Sequence, residues 1–300
     1  MAKTKILILG ATGMLGHTLF TELSKNKDLT VLATSRAAKK DLLAQYFPKE
    51  LLQNILLNID ADNIKSIEQV IENNRPDIVI NCIGLIKQRP KASNSELMVS
   101  LNEVFPHKLA EICKNLHCRL VHMSTDCIFS GKKGNYNEDD PSDAEDIYGQ
   151  TKYRGEVKGS NCLTIRTSII GHELKGHYGL IDWFLAQKSK IKGFSKAIYS
   201  GFPTIELAHI IENYIIPNNS LQGIYHVSSE PISKYELLSL VAKIYKKQIK
   251  IELDKEFICD RSLNSARFRE ATDYTPSSWK NLVKKMHQHY NKFYKNRGIS

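Results

Sequence analysis

Tyr148 and Lys152 stand four residues apart in the run Ile147-Tyr148-Gly149-Gln150-Thr151-Lys152. On a helix that spacing puts a phenol and an ammonium on one face, a turn apart. The ammonium is expected to favour phenolate and so to draw the tyrosine pKa down from about 10 toward the working range. Such a tyrosine can hand a proton to a carbonyl oxygen while hydride arrives at the carbon. The lysine can also hold ribose hydroxyls. The spacing is common by itself, but it gains force from Met123-Ser124-Thr125-Asp126-Cys127-Ile128-Phe129-Ser130-Gly131, which ends a strand-like run. Polar side chains at the C-terminal end of a parallel strand face the crevice where ligands bind. Thr125 is thereby expected to hydrogen-bond a substrate carbonyl beside Tyr148. Asn81-Cys82-Ile83-Gly84 ends another such run, so Cys82 and Gly84 are expected along the cofactor path, with Asn102 in the next helix bracing that strand.

A hydride needs a donor, and the N-terminus offers a place for one. Gly10-Ala11-Thr12-Gly13-Met14-Leu15-Gly16 lies between a strand-like run and a helical one. Glycines at that spacing permit a tight turn, bring backbone close to a pyrophosphate and let helix pack on strand. Free amides at the helix N-terminus then attract the anion. The second strand-like run ends in Leu32-Ala33-Thr34-Ser35-Arg36, where an NAD site would carry an acidic residue for the ribose hydroxyls. Arg36, backed by Lys39 and Lys40, suits a 2′-phosphate instead, as a charge-assisted pair. The expected cofactor is therefore NADPH, with NADH as the alternative. Asp60 or Asp62, after the third run, is placed to reach the adenine.

These residues need a scaffold, and the first half supplies the pattern of one. Strand-like runs at 5–9, 30–34, 55–58, 77–81 and 119–123 alternate with helical stretches at 14–26, 64–74 and 96–115. A further helix at 147–159 leads to a run at 162–165. Strict alternation of this kind predicts an α/β fold, a doubly wound parallel sheet of Rossmann type. Beyond residue 165 the rhythm loosens, with helices expected at 180–188, 205–215, 234–245 and 277–294 and short strands at 197–199, 223–227 and 249–253. The division that follows is 1–165 as the dinucleotide-binding domain. Residues 166–300 then form mainly a smaller substrate-binding lobe, some segments of which return to the first domain.

Composition narrows the class. The chain has 300 residues, enough for a large core, and its apolar and charged fractions are ordinary for a globular protein. No apolar run reaches membrane-spanning length, and Met1-Ala2-Lys3-Thr4 passes straight into the first strand-like run, which suggests a cytoplasmic protein without membrane partners. The six cysteines, Cys82, Cys113, Cys118, Cys127, Cys162 and Cys259, form no pair of Cys-x-x-Cys elements, so reduced thiols and no metal site are expected. The net charge of +10 has its densest stretch around Lys284, Lys285, Lys292, Lys295 and Arg297. A solvated helix face and anionic small ligands explain it better than nucleic acid does. Self-association as a homodimer stays open.

Taken together, the motifs resemble one family. The glycine turn, Ser124-Thr125-Asp126-x-x-Phe129-x-Gly131, Gly134-x-Tyr136-x-Glu138 and Tyr148-Gly-x-Thr-Lys152-x-x-Gly155-Glu156 are similar to those of the dTDP-4-dehydrorhamnose reductases, a branch of the extended short-chain dehydrogenases. The resemblance continues through Leu163-Thr164-Ile165-Arg166-Thr167-Ser168, Gly201-Phe202-Pro203-Thr204 and Arg261-Ser262-Leu263-Asn264-Ser265, so it covers nearly the whole chain. It implies reduction of a 4-keto-6-deoxyhexose on a nucleoside diphosphate, with Thr125, Tyr148 and Lys152 as the catalytic set. It also implies Lys87, Asp126, Arg166, Ser168 and Arg261 on the substrate side, a buried structural ion pair being the alternative for each arginine. Three features depart from the family pattern: Cys127 where tyrosine is usual, Ser262 in place of a proline, and the stretch Ile83-Gly84-Leu85-Ile86-Lys87-Gln88. Two other readings share the fold. One is an epimerase or dehydratase that holds its cofactor, with Asp126 or Lys87 as an added acid or base. The other is a non-catalytic subunit such as the regulatory subunit of methionine adenosyltransferase.

Overall fold

The computed structural model describes residues 3–87 and 94–295, so Gln88 and Arg297 lie outside the described residues. Twelve strands are present among them: β1 (Thr4–Leu9), β2 (Leu29–Thr34), β3 (Ile55–Leu56), β4 (Ile78–Asn81), β5 (Arg119–Met123), β6 (Cys162–Arg166), β7 (Ile169–Ile170), β8 (Ile191–Tyr199), β9 (Phe202–Pro203), β10 (Gly223–His226), β11 (Ile232–Ser233) and β12 (Ile251–Asp260). Seven of these form one sheet in the order β10-β6-β5-β4-β1-β2-β3. Every pairing within it is parallel.

Strand residues alternate between two cores, as a pleat requires. Ile6 and Ile8 of β1 join one apolar cluster while Leu7 and Leu9 join the other. The first cluster takes in Leu15, Leu19, Phe20 and Leu23 of helix α1 (Met14–Leu23), together with Leu282, Val283 and Met286 near the C-terminus. After the short helix α2 (Lys49–Leu52) comes α3 (Ile64–Asn74), which gives Ile67 and Ile71 to the second cluster. There they meet Leu109 and Ile112 of α5 (Phe105–Asn115). Helices thus cover both faces. All four residues of β4 and all five of β6 are buried, as strands in the middle of a parallel sheet should be.

The stretch expected as one helix at 96–115 is three pieces: α4 (Ser95–Val99), a π-helical turn at Ser100–Val104, and α5. α6 (Ile147–Arg154) ends sooner than expected and α7 spans Leu180–Ala186. α8 (Thr204–Ile210) again runs into a π turn, Ile211–Ile215. α9 (Lys234–Tyr245) has the expected bounds, fixed at its start by a capping box in which Ser233 and Glu236 satisfy each other's backbone amides. α10 (Ala266–Thr272) was not expected. α11 (Trp279–His289) continues through a third π turn, Tyr290–Tyr294.

Beyond the large sheet, β11, β8 and β12 form a second sheet in that order, and β7 pairs with β9. β10 is a late segment that returns to the large sheet and pairs with β6 from Gly223 against Leu163 to His226 against Arg166. Among the described residues, no helix is long and apolar enough to cross a membrane.

Candidate active site

The glycine turn is shaped by close approach. Gly10 has φ +93°, and its amide donates to the Thr34 hydroxyl of β2 at 3.2 Å. The Gly13 amide returns to the Gly10 carbonyl at 3.1 Å. A Cβ on Gly16 would lie 2.1 Å from that carbonyl oxygen, so only glycine lets α1 start this near the turn. Gly13 caps α1 without any side-chain hydrogen bond. The first amides of the helix are left to an outside acceptor, the arrangement that suits a pyrophosphate. Thr12 is exposed at the turn and Met14 is half-buried, whereas Leu15 is buried in the first core. Arg36 stands exposed after β2, with Lys39 and Lys40 exposed beside it. Asp60 is half-buried and its Oδ1 accepts from the Asp62 amide at 3.3 Å.

At the C-terminal end of the sheet the chemistry gathers. Thr125 and Asp126 are nearly buried, at 7 % and 6 % exposure. The Thr125 hydroxyl donates to Asp126 Oδ1 at 3.2 Å and accepts from the Cys127 amide at 3.2 Å. Tyr148 reaches the same place from α6, whose N-terminus is capped by Asp146 accepting from the Gly149 amide at 2.7 Å. Burial holds the Tyr148 phenol well above its ordinary range, a hydrogen bond with Thr125 working against that. The expectation that Lys152 would draw the phenol down is corrected here. Burial is the largest influence on the phenol, and the Lys152 Nζ donates to the Met123 carbonyl at 2.6 Å. The tyrosine is therefore protonated, the form in which it can give a proton away. Lys152 itself is brought down to about 8 by burial, with Glu156 and Cys82 opposing. Cys82 lies half-buried past β4, burial pushing its thiol up to about 12, and Gly84 is exposed beside it. Asn102 braces this segment with both ends of its amide: Oδ1 accepts from Leu85 N at 2.8 Å and Nδ2 donates to Leu85 O at 2.9 Å.

The residues expected on the substrate side separate into two groups. Ser168 hydrogen-bonds Asp126, whose carboxyl is raised by burial and pulled back by Arg261, Thr125, Cys127 and Ser168. Arg261 brings its Nη1 to 3.5 Å from Cys127 Sγ. Lys87 is exposed and pairs with Asp146 at 3.2 Å. Arg166 takes the alternative arrangement, a buried ion pair. It is 2 % exposed and grips Glu156 with Nε to Oε1 and Nη2 to Oε2, both 2.8 Å. Its Nη1 donates to the Glu138 carbonyl at 3.2 Å and faces His226 Nε2 at the same distance. A guanidinium so occupied is a brace between β6 and the end of α6. Sequence reasoning left Glu156 and Ser124 without roles, although both stood in quoted motifs. Ser124 Oγ donates to Glu156 Oε1 at 2.7 Å, and the position of Glu156 four residues after Lys152 was the available signal.

Comparison with known proteins agrees with this architecture. A spore coat polysaccharide biosynthesis protein of Bacillus subtilis, SpsK, is 28 % identical over 79 % of this chain and 78 % of its own length. The methionine adenosyltransferase 2 subunit beta of Danio rerio is 25 % identical over 80 % of this chain and 74 % of its own. Among solved structures, a dTDP-4-dehydrorhamnose reductase from Bacillus anthracis in complex with NADP superposes with TM-score 0.78 at 22 % identity. It covers 96 % of this chain and 99 % of that one. The family described as the RmlD substrate binding domain matches residues 4–292, nearly the entire chain, and the protein belongs to that family.

Proposed function

We propose that the chain is an NADPH-dependent reductase that acts on a keto group, at C4, of a nucleoside-diphosphate 6-deoxysugar destined for surface polysaccharide. Residues 1–165 form the dinucleotide-binding domain in this reading, and 166–300 contribute mainly to the substrate side. Family membership supports it, as do the reductase with NADP that this chain resembles in fold and the polysaccharide role in the name of SpsK. The observation that carries it is the hydrogen bond of Tyr148 with Thr125 and of Lys152 with the Met123 carbonyl at the C-terminal end of β5, the same end of the parallel sheet as the uncapped glycine turn.

Gly10, Thr12, Gly13, Met14, Leu15 and Gly16 form the pyrophosphate cradle. The bare N-terminus of α1 and the close approach at Gly16 that a Cβ would block fit that group. Arg36 takes the 2′-phosphate, Asp60 the adenine side, and Cys82 and Gly84 line the path. When bound, NADPH supplies the hydride. Tyr148, held protonated by burial, gives its proton to the substrate oxygen as the carbonyl is reduced. Thr125 hydrogen-bonds the same oxygen and fixes its position. Lys152 orients the ribose and keeps a positive charge beneath the site. Asp126, Ser168 and Arg261 line the substrate pocket, with Lys87 at its rim.

The test is NADPH oxidation in the presence of a dTDP-4-keto-6-deoxyhexose, with Tyr148→Phe alongside. Net NADPH consumption should occur and should fall by roughly 10²–10⁴-fold in the variant. Product formed without net consumption points to epimerisation. The likeness to a methionine adenosyltransferase subunit gives a second reading its footing, a binding partner without turnover. NADPH binding with no oxidation across a panel of keto sugar nucleotides would favour that reading.

A further inference from the structure

The loop 171–179 joins β7 to α7 and is tied down at its root. The His172 ring lies between Asp182 Oδ1 of α7 at 2.5 Å and the Tyr245 hydroxyl of α9 at 2.9 Å. The Glu173 amide donates to the other Asp182 oxygen at 2.6 Å, and Leu174 is buried in the first core. Glu173 Oε2 then accepts from the Tyr178 and Gly179 amides at 2.7 and 2.8 Å, which folds the loop back on itself. Its tip, residues 175–178, is exposed.

This strap touches the two places where phosphates of the cofactor are expected. At its root, Gly179 stands so near the glycine turn that a Cβ there would run into the Met14 side chain. At its tip, Lys175 Nζ lies 5.2 Å from the centre of the Tyr46 ring. Tyr46 is buried with Leu43 and Phe47 in the segment that follows Arg36, Lys39 and Lys40. The strap therefore runs from the pyrophosphate cradle to the 2′-phosphate side. Lys175 pairs with no acid among the described residues, and the face of a ring leaves its charge unneutralised.

We propose that Lys175 is a specificity-determining residue for the cofactor, its ammonium a second ligand of the NADPH 2′-phosphate beside Arg36. The inference rests on the NADPH reading given above. The pyrophosphate already has the uncapped amides of α1, and Lys175 stands over the segment after β2, not over the glycine turn. A ring contact at the surface is worth little and is readily exchanged for a phosphate, with which an ammonium forms a charge-assisted hydrogen bond.

The test is fluorescence titration of NADPH and NADH into the parent, Lys175→Met and Lys175→Arg. Lys175→Met should bind NADPH roughly fivefold more weakly and NADH within about twofold of the parent, the size of one exposed ion contact. Lys175→Arg should restore most of the affinity. The salt dependence of NADPH binding should flatten in Lys175→Met, because one screened charge contact is gone. Adenosine 2′,5′-bisphosphate and AMP repeat the comparison without the nicotinamide, and only the bisphosphate should weaken. Equal losses for NADPH and NADH would place Lys175 at the pyrophosphate and overturn the proposal. A lower melting temperature with both affinities unchanged would make Lys175 a cap on Tyr46 and overturn it as well. Failure of the NADPH reading shows in the parent alone, as equal affinity for the two cofactors, and takes the proposal with it. A parent that prefers NADPH, with a Lys175→Met variant that keeps the whole preference, overturns the proposal and leaves the reading standing.

Discussion

The hydroxyl of Tyr294, in the π turn that ends the C-terminal helix, hydrogen-bonds Nε2 of His17, one turn into the helix that follows the glycine turn. His17 is wholly buried, and burial brings its pKa down to about 3, so its ring is neutral and carries one N–H. Nδ1 lies 2.7 Å from the Gly13 carbonyl, which can only accept, so the proton sits on Nδ1. Nε2 is then a bare acceptor. Tyr294, whose hydroxyl also lies 3.1 Å from the His172 carbonyl and hydrogen-bonds Thr18, gives its one proton to the closer ring nitrogen. Tyr294→Phe would leave Nε2 buried without a donor, a loss of about 1–3 kcal/mol. Urea unfolding should report that loss, and NADPH titration should report weaker binding, since His17 steadies Gly13. A variant as stable as the parent would refute this tautomer.

Acid should unfold the protein through its histidines before its carboxylates. His17 and His226 are each brought down to about 3 by burial, and His122 lies well below its ordinary value for the same reason. In the unfolded chain such rings titrate near 6.5. Between about pH 6.5 and pH 3 the unfolded state binds more protons, so stability rises with pH and is lost on acidification. The slope is at most about 1.4 kcal/mol per pH unit for each histidine. Carboxylates whose pKa is lowered by partners, such as Asp140 beside Lys133 and Asp146 beside Gly149, lose their contribution only at lower pH. Urea midpoints measured from pH 7 to pH 4 should fall steadily. A flat profile over that range would show that these rings protonate in the folded state.

Discrimination between NADPH and NADH should reside in Arg36. It is exposed and, among the described residues, pairs with no acid, so its guanidinium is available to a 2′-phosphate. Arg36→Ala should weaken NADPH by roughly tenfold, the value of one charged hydrogen bond at an exposed site, and leave NADH nearly unchanged. Fluorescence titration with both cofactors measures it. An unmodified protein that binds the two equally would remove the premise.

Much of this was legible from local pattern, and what was not depends on distant partners. α3 and α9 fall on their expected bounds because the signals sit beside them: Asn63 caps Ser66, and Ser233 pairs with Glu236. β7, β9 and β11 have two residues each, too few to show alternation. β12 runs for ten residues because β8 offers a long parallel edge, and its Leu253, Phe257 and Ile258 are exposed, so burial left no mark on the pattern. The Tyr148–Lys152 spacing was readable, but the direction of the phenol shift was not. That depends on the burial of the phenol by distant segments, and the Met123 carbonyl of β5 engages Lys152. The two arginines were equivalent in sequence for the same reason, since nothing local announces Glu156 as a partner for one of them.

That difference between Arg166 and Arg261 yields the last prediction. Arg166 is buried with a bidentate carboxylate, so Arg166→Ala strands Glu156 as an unpaired buried charge. It should destabilise the fold by about 3–5 kcal/mol. Arg261 has no such partner. Its Nε is buried without a hydrogen bond among the described residues, its Nη1 touches only the weak acceptor Cys127 Sγ at 3.5 Å, and Asp126 and Asp146 are among the charges that favour its ionised form. In the proposed reading, a guanidinium beside Asp126 and Cys127 just past β5, with donors to spare, suits a diphosphate. Arg261→Ala should raise KM for the sugar nucleotide by roughly 10–100-fold, the equivalent of one or two charged hydrogen bonds. NADPH affinity and thermal stability should stay near those of the parent. Steady-state kinetics, NADPH titration and thermal unfolding on the two variants separate the roles. If Arg261→Ala lost stability as severely as Arg166→Ala and kept its KM, then Arg261 would be a second brace, and the diphosphate would have to be bound elsewhere.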